Sequence, residues 1–396
     1  MRIGIDASNL KSGGGLTHLA ELLAHVDARA AGLDQVTVWG PPDTLNRLAP
    51  RPWLVKASCA DLEGSAASVL AWRKEALPRL AQTDCDLLFA PGGLCTNGFH
   101  PVVTMSRNML PFQLSEALRY GPSRMLGRLA LLRVLQKRSF RAADGVIFLS
   151  EFAEKTVLGT TGPLAGKTTI IPHGVASPFF KPPRPQLPLR AFSAARPFRI
   201  LYTSIVDVYK HQWHVANAVA QLRRERLPIA IEFVGDAYAP ASRRLDRTIR
   251  ELDPLGEFLK RTGPVSHPNL PALYHAADAF VFASSCENLP NILLEAMAAG
   301  LPIACSQRGP MPEVLGDGGL YFDPLRPRAI AGALRDLCTT TEVRERISAR
   351  AYDLAQSFSW SRCAQETFEF LAKVLRTHRN RHSPTKEITA TLRSAA

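Results

Sequence analysis

Short apolar runs of strand length alternate with stretches of helical character along the whole of this 396-residue chain. The alternation predicts an α/β fold with parallel sheets, because parallel strands need a crossover, usually a helix, between them. The runs form two series of six, and each series predicts one Rossmann-like, doubly wound domain. Strands are predicted at 2–7, 36–40, 86–91, 101–106, 145–150 and 168–173, and then at 198–204, 229–235, 257–263, 279–284, 302–306 and 319–324.

A proline-rich segment, residues 178–197, separates the two series and holds six prolines. Proline lacks the amide N–H that a central strand needs, so this segment is predicted to be a linker. Domains are therefore predicted at 1–177 and 198–356, and a polar, basic, mobile tail at 378–396. Ligands of open α/β sheets bind at the carboxyl ends of the strands, so two such domains predict a central cleft.

Composition narrows the class of protein. The formal net charge of +13 favours anionic partners without choosing among them. The seven cysteines show no CxxC spacing, which argues against a disulfide framework or a zinc site and favours a reducing compartment. The first residues read as a strand and no apolar run is long enough to span a membrane, so we expect a cytoplasmic protein.

The segment 119–141 carries seven Arg or Lys residues, threaded with leucines, and no Asp or Glu. A helix of this composition can lie on an anionic membrane, where each basic residue contributes roughly 1 kcal/mol. It can equally be a solvated helix that is basic by chance. The sequence leaves both interpretations open, and a peripheral position on the inner membrane face is the localisation that the first one implies.

The most informative segment is 284–324, in which a strand ends at Ser284 and a helix is predicted over 291–299. Gly300 and Pro302 follow the helix, as is typical of a helix end. Glu287 lies in the loop before the helix and Glu295 within it. The loop Asn288-Leu289-Pro290-Asn291 offers backbone N–H groups at a helix N-terminus, which suits a diphosphate. The two carboxylates then have to face neutral groups, such as sugar and ribose hydroxyls.

Glu287 and Glu295 form an E-x7-E motif that resembles the retaining glycosyltransferases of family 4, and an EAM-x-x-G-x-P segment follows. The resemblance covers nearly the whole chain. Its further segments are the glycine-rich opening IGIDASNLKSGGGLTHLAELL, then FLSEFAEKTV, IPHGV, TSIVDVYKHQ, PEVLGDGGLYFDP and FSW. It implies the B-type glycosyltransferase fold, GT-B, with an acceptor domain at 1–177, a nucleotide-sugar domain at 198–356 and a helix at 357–377 that crosses back to the first domain.

The resemblance also implies roles for individual residues. Glu287 would contact the transferred sugar near its anomeric carbon, Glu295 would accept hydrogen bonds from the ribose, and Lys210 would neutralise the leaving diphosphate. Glu287 and Lys210 are thus the catalytic candidates. The implied donor-binding residues are Gly13, Gly14, Gly15, Ser204, Lys210, Gly235, Glu287, Asn288, Leu289, Pro290, Asn291 and Glu295. Family members retain the anomeric configuration and need no metal and no other cofactor.

Two positions depart from the family pattern. Ile205 stands where the family usually has an arginine, so Lys210 would work with Ser204 or with a basic residue from elsewhere. Ser106-Arg107-Asn108 stands where many members have a histidine near the sugar, so Arg107 and Asn108 are candidates on the sugar and acceptor side.

The function expected is transfer of a hexosyl group from GDP-mannose or a UDP-sugar to a glycan or polyprenyl-linked acceptor in polysaccharide biosynthesis. Alternatives are a nucleotide-sugar epimerase of the same fold and a basic nucleic-acid-binding protein. The E-x7-E segment argues against the first, and the lack of a recognition helix or aromatic-rich basic strand argues against the second. Asp84-Cys85-Asp86 spells a metal-binding D-x-D, but it only precedes a strand, so no metal site is expected.

Overall fold

A computed structural model of the chain describes residues 1–10, 13–95 and 98–382. The strands are β1 (Arg2–Asp6), β2 (Gln35–Trp39), β3 (Leu54–Ala57), β4 (Leu87–Ala90), β5 (Val102–Met105), β6 (Gly145–Phe148), β7 (Lys167–Ile170), β8 (Phe198–Thr203), β9 (Ile229–Val234), β10 (Leu259–Thr262), β11 (Ala279–Phe282), β12 (Ile303–Ser306) and β13 (Leu320–Phe322). The helices are α1 (Gly14–His25), α2 (Pro42–Leu45), α3 (Ala60–Glu63), α4 (Ala66–Asp84), α5 (Leu114–Ala117), α6 (Arg124–Ala142), α7 (Glu151–Thr161), α8 (Gln212–Arg224), α9 (Ala239–Leu252), α10 (Leu270–Ala276), α11 (Asn291–Ala298), α12 (Met311–Leu315), α13 (Pro327–Thr339), α14 (Thr341–Ala355) and α15 (Trp360–Arg381).

The strands form two parallel sheets. The first has the order β3-β2-β1-β4-β5-β6-β7 and the second the order β10-β9-β8-β11-β12-β13. In both sheets the strand order reverses beside the first strand, between β1 and β4 in the first sheet and between β8 and β11 in the second. The predicted α/β class with two doubly wound, Rossmann-like domains is confirmed.

The central strands read as continuous apolar runs because helices cover both faces of each sheet. All four residues of β4 are buried, as are all four of β11. Strands buried on both sides carry the strongest sequence signal of a parallel sheet, which is why the central strands were recognised.

Strand β3 was not predicted. It is an edge strand of four residues, Leu54–Ala57, two of which are exposed. It pairs with β2 through neighbours such as Val36 and Leu54. A short edge strand needs no apolar run on both faces, so the pattern that revealed the other strands is absent here.

The segment predicted as a linker, 178–197, connects the two sheets and is fixed to the second domain by Arg344 of α14. The Arg344 side chain is fully buried. Its Nη2 donates to Leu187 O of the linker, and its Nη1 donates to Leu337 O and Cys338 O at the end of α13, at 2.8 and 2.6 Å. A cation at the C-terminus of a helix is favourable, because the last carbonyls there lack helical partners.

Helix α15 returns to the first domain, where it packs against α1 and β4. Its contact with β6 is close, because a methyl group built on Gly145 would lie 2.9 Å from Val374 and 3.0 Å from Phe370. At the start of the helix, a methyl group on Gly174 would lie 2.2 Å from Trp360 N. Only glycine permits this approach of two backbones.

The basic segment 119–141 is not one helix. Arg119 lies in a 3-10 turn and pairs with Glu116 at 2.8 Å, and α6 begins at Arg124. Arg133 is half-buried and donates to Pro111 O at 2.9 Å, so it supports the fold. The exposed face of α6 carries Arg124, Arg128, Leu131, Val134 and Arg138. Within the described part of the chain, no helix has the length and apolar character needed to cross a bilayer.

Candidate functional site

The candidate site lies at the carboxyl ends of the strands, at the point where the strand order of each sheet reverses. This is the usual ligand position in open α/β sheets. The loop after β1 leads through the glycine-rich segment into α1. The loop after β8 carries the turn with Lys210, and the loop after β11 carries Glu287 and leads into α11. Residues far apart in the sequence therefore meet at one cleft between the two domains.

Lys210 and Glu287 form an ion pair with each other, Nζ to Oε1. Both side chains are largely shielded, with 4% and 14% of their surface exposed. The Lys210 Nζ also lies over the rings of Tyr209 and Phe282, at 5.2 and 5.0 Å. The two predicted catalytic residues, which are 77 positions apart, are thus brought into direct contact.

Glu295 lies one helical turn inside α11, and partners fix both of its oxygens. Oε2 accepts a hydrogen bond from the buried Tyr274 hydroxyl at 2.8 Å, and Oε1 lies 3.6 Å from His267 Nε2. The nearby carboxylate raises the pKa of His267 above its ordinary value, mainly by hydrogen bonding. Both oxygens of the Glu295 carboxylate are therefore oriented by the protein, and the residue lines the cavity between the domains.

Two glycines are required by the backbone. Gly235 has φ +143°, and a methyl group there would lie 2.2 Å from Ser204 O, so the loops after β8 and β9 can approach only with glycine at this position. Gly13 has φ +68° immediately before α1. Any other residue at these positions would be strained.

The loop 288–291 is held by the first domain. The Ser150 hydroxyl donates to Asn288 O at 2.7 Å, and Asn288 Nδ2 donates to Ser106 Oγ at 3.3 Å. Asn291 Oδ1 lies 3.2 Å from His173 Nδ1. The loop that resembles a diphosphate site is therefore shaped by both domains.

Further contacts between the domains involve residues to which the sequence assigned no role. Glu313 accepts hydrogen bonds from Glu151 N and Phe152 N at the start of α7, at 2.8 and 3.0 Å. The Tyr120 hydroxyl donates to Asp207 in the turn before Lys210, at 3.0 Å. Glu313 belongs to the PEVLGDGG segment, whose resemblance to the family could have indicated a functional role for it. No local sequence pattern indicates a role for Tyr120.

A cavity of about 520 Å³ opens beside these loops. Its lining includes the predicted Gly13, Gly14, Ser204, Gly235, Asn291 and Glu295 together with Trp360 of α15. Ser204 is engaged locally, because its hydroxyl donates to Ile205 O at 2.6 Å and accepts from Gln212 Nε2 at 3.2 Å. Ile205 has 41% of its surface exposed.

Arg107 and Asn108 follow β5. Asn108 Oδ1 accepts a hydrogen bond from Leu110 N at 3.1 Å and so stabilises its own turn. Arg107 lies against the glycine loop, since a methyl group on Gly15 would lie 3.7 Å from its guanidinium carbon. Burial lowers the pKa of Arg107 to about 10.

No cluster of metal-ligating side chains is present among residues 1–10, 13–95 and 98–382. Asp86 accepts a hydrogen bond from Arg2 N at 2.8 Å and pairs with Arg379 at 3.3 Å. Asp84 is the last residue of α4. Both aspartates therefore lie at the start of β4, at the edge of the sheet opposite the cleft.

Comparison with known proteins agrees with this geometry. Residues 197–340 match the model of the family Glycosyl transferases group 1. A relative is the O-antigen chain mannosyltransferase B of Escherichia coli, which is 37% identical over 110 residues, or 28% of this chain and 29% of that protein. The chain aligns with less than half the length of the first curated relatives that it matches.

Solved structures cover more of the chain. A sucrose-phosphate synthase from Thermosynechococcus elongatus superposes with a TM-score of 0.74 at 19% identity, covering 95% of this chain and all of that one. The Anabaena HepE protein in complex with UDP and glucose gives a TM-score of 0.68 at 21% identity, covering 94% and 99%. The chain therefore has the GT-B fold of glycosyltransferases, and residues 197–340 are similar in sequence to the group 1 glycosyl transferases.

Proposed function

We propose that the chain is a retaining glycosyltransferase that moves a hexosyl group from a nucleoside diphosphate to an acceptor. The observation that carries this proposal is the ion pair of Lys210 with Glu287 on the loops after β8 and β11 of a GT-B fold, with Glu295 in the lining of the neighbouring cavity. Lys210 would contact the diphosphate and Glu287 the sugar, so donor binding would replace the ion pair between them with two contacts to the substrate. Glu287 would then stabilise positive charge developing at the anomeric carbon.

The donor proposed is GDP-mannose or a UDP-sugar. The E. coli relative is named as a mannosyltransferase, and HepE was solved with UDP and glucose. A thermal-shift screen with UDP, GDP, ADP, CMP and dTDP would identify the base, because a ligand stabilises the folded state by mass action. No shift with any of the five would contradict the proposal.

Glu295→Gln is expected to weaken binding of the selected nucleotide by roughly 10- to 100-fold, because hydrogen bonds to a charged group are worth about 1.5–3 kcal/mol. The glutamine can still accept from Tyr274, so the fold should be kept. Calorimetry measures the affinity. A Glu295→Gln protein that binds the nucleotide as tightly as the wild type would show that Glu295 does not hold the ribose.

We also propose that the reaction needs no metal. Lys210 and the N-terminus of α11 would stabilise the leaving diphosphate, which is the task that a divalent cation performs elsewhere. Turnover is therefore expected to be unchanged after dialysis against EDTA. Activity that disappears on chelation and returns with Mg²⁺ or Mn²⁺ would overturn this part of the proposal.

The acceptor proposed is a glycan or a polyprenyl-linked saccharide in polysaccharide biosynthesis, met by a cytoplasmic protein at the inner membrane face. Support comes from the exposed side of α6, where Leu131 and Val134 are 59% and 47% exposed among arginines. Apolar side chains between basic ones suit the boundary between lipid headgroups and acyl chains. We propose no nucleic-acid partner.

Reversing Arg124, Arg128 and Arg138 to Glu should abolish co-sedimentation with anionic vesicles at low salt, because each basic residue contributes roughly 1 kcal/mol. A matched control reverses Arg243, Arg247 and Arg250, which are exposed on α9 of the second domain. Equal loss in both variants would mean that only net charge matters. If the wild type does not co-sediment with the vesicles, the exposed face of α6 is solvated and does not bind a membrane.

A further inference from the structure

Arg107 is a half-buried cation for which the described residues supply no partner. Its Nη1 is buried and has no acceptor, and within the described residues its guanidinium makes no ion pair or hydrogen bond. Burial lowers its pKa to about 10, so the group is still charged at neutral pH.

The buried Nη1 is unfavourable for the fold, because its N–H groups lose hydration that none of the described residues replaces. Buried arginines elsewhere in this chain are satisfied. Arg73 pairs with Asp6 at 2.7 Å, and Arg344 donates to carbonyl groups of the linker and α13. The contrast indicates that a ligand, rather than the protein, completes the surroundings of Arg107.

The position of Arg107 indicates the charge of that ligand. A methyl group built on Gly14 would lie 3.7 Å from Asn291 Nδ2 and 3.9 Å from Arg107 Nη2, so the three residues converge. Gly14 begins α1 and Asn291 begins α11, and neither helix has an acidic residue in its first turn. Two helix N-termini and a guanidinium at one place favour an anion.

We propose that Arg107 binds the distal phosphate of a nucleoside diphosphate from the side of the first domain, opposite Lys210. This inference rests on the proposed function. Lys210 is paired with Glu287, so the two together bring no net positive charge to a diphosphate. Position 205, where the resemblance would place an arginine, is isoleucine. Arg107 supplies the missing charge, and the phosphate contact then joins the two domains.

The test compares affinities for a nucleoside diphosphate and the matching monophosphate, using calorimetry and the base selected in the thermal-shift screen. Arg107→Met should weaken diphosphate binding roughly 10- to 100-fold and change monophosphate binding less than about 3-fold. Arg107→Lys should recover part of the loss. Arg79→Met, at an exposed arginine on α4 of the same domain, is the matched control and should bind both as the wild type does. Without nucleotide, Arg107→Met should melt no lower than the wild type, because methionine replaces a half-buried charge that the described residues leave unpaired.

Several results would overturn the proposal. An Arg107→Met protein that binds the diphosphate as tightly as the wild type would overturn it. If the KM for the acceptor rises instead, the anionic group that Arg107 binds is part of the acceptor. Equal losses for diphosphate and monophosphate, or a lower melting temperature without nucleotide, would make Arg107 a support of the cleft. If the wild type binds no nucleoside diphosphate, the proposed function itself is wrong. This outcome differs from failure of the Arg107 proposal alone, in which the wild type binds the diphosphate and the variant binds it equally well.

Discussion

Glu287→Gln is expected to lower turnover of the nucleotide-sugar by roughly 10²- to 10³-fold, the loss typical of removing one group that stabilises transition-state charge. Glutamine is close in shape but neutral, so it cannot stabilise positive charge at the anomeric carbon. Nucleotide affinity should not fall, because the proposal places the ribose at Glu295, and the loss of the Glu287 charge leaves Lys210 free for the diphosphate. Steady-state kinetics and calorimetry on the same protein separate the two effects.

The matched control is Glu251→Gln, at an exposed carboxylate of the second domain, and it should leave kcat and affinity unchanged. Lys210→Met should lower both turnover and diphosphate affinity. Because Lys210 and Glu287 are ion-paired, the double variant should lose less than the sum of the two single losses in free energy. Strictly additive losses would mean that the two residues act independently.

Arg344→Met is expected to reduce the free energy of unfolding by about 2–4 kcal/mol, the largest effect on stability that we predict. The change leaves the buried carbonyl oxygens of Leu337 and Cys338, and the part-buried one of Leu187, without their donor. It also removes one of the contacts that hold the linker to the second domain, another being the ion pair of Arg184 with Asp278. Urea denaturation followed by circular dichroism measures the shift of the midpoint.

Arg350→Met is the control for this prediction. It lies on the same helix, α14, and its partner Asp317 is exposed, so the ion pair is worth only about 0–1 kcal/mol. Similar shifts in the two variants would mean that the network around Arg344 contributes no more than a surface ion pair.

Short-range sequence patterns predicted the elements whose structure depends on neighbouring residues in the chain. The strands buried on both faces and the helix between Asn291 and Gly300 follow from apolar runs and helix-ending residues. The positions of Glu287 and Glu295 follow from a motif contained in one loop and one helix. The edge strand Leu54–Ala57 was not predicted, because it is short and half-exposed and so lacks an apolar run.

Contacts between the domains could not be predicted in the same way. The hydrogen bonds from Tyr120 to Asp207 and from the start of α7 to Glu313 join residues 87 and more than 160 positions apart. Nothing in the composition of either partner specifies such pairs. Arg133 shows the same limit, because its charge indicated a surface residue while its hydrogen bond to Pro111 O depends on the fold.

Donor turnover followed by NMR tests the central claim most directly. Wild-type protein is incubated with a panel of UDP- and GDP-sugars, with Glu287→Gln as the inactive control. The account predicts release of the nucleoside diphosphate from one of them, with the anomeric configuration of the donor kept in the first-formed product. Release of a nucleoside monophosphate, or no cleavage of a donor whose nucleotide the protein binds, would contradict it.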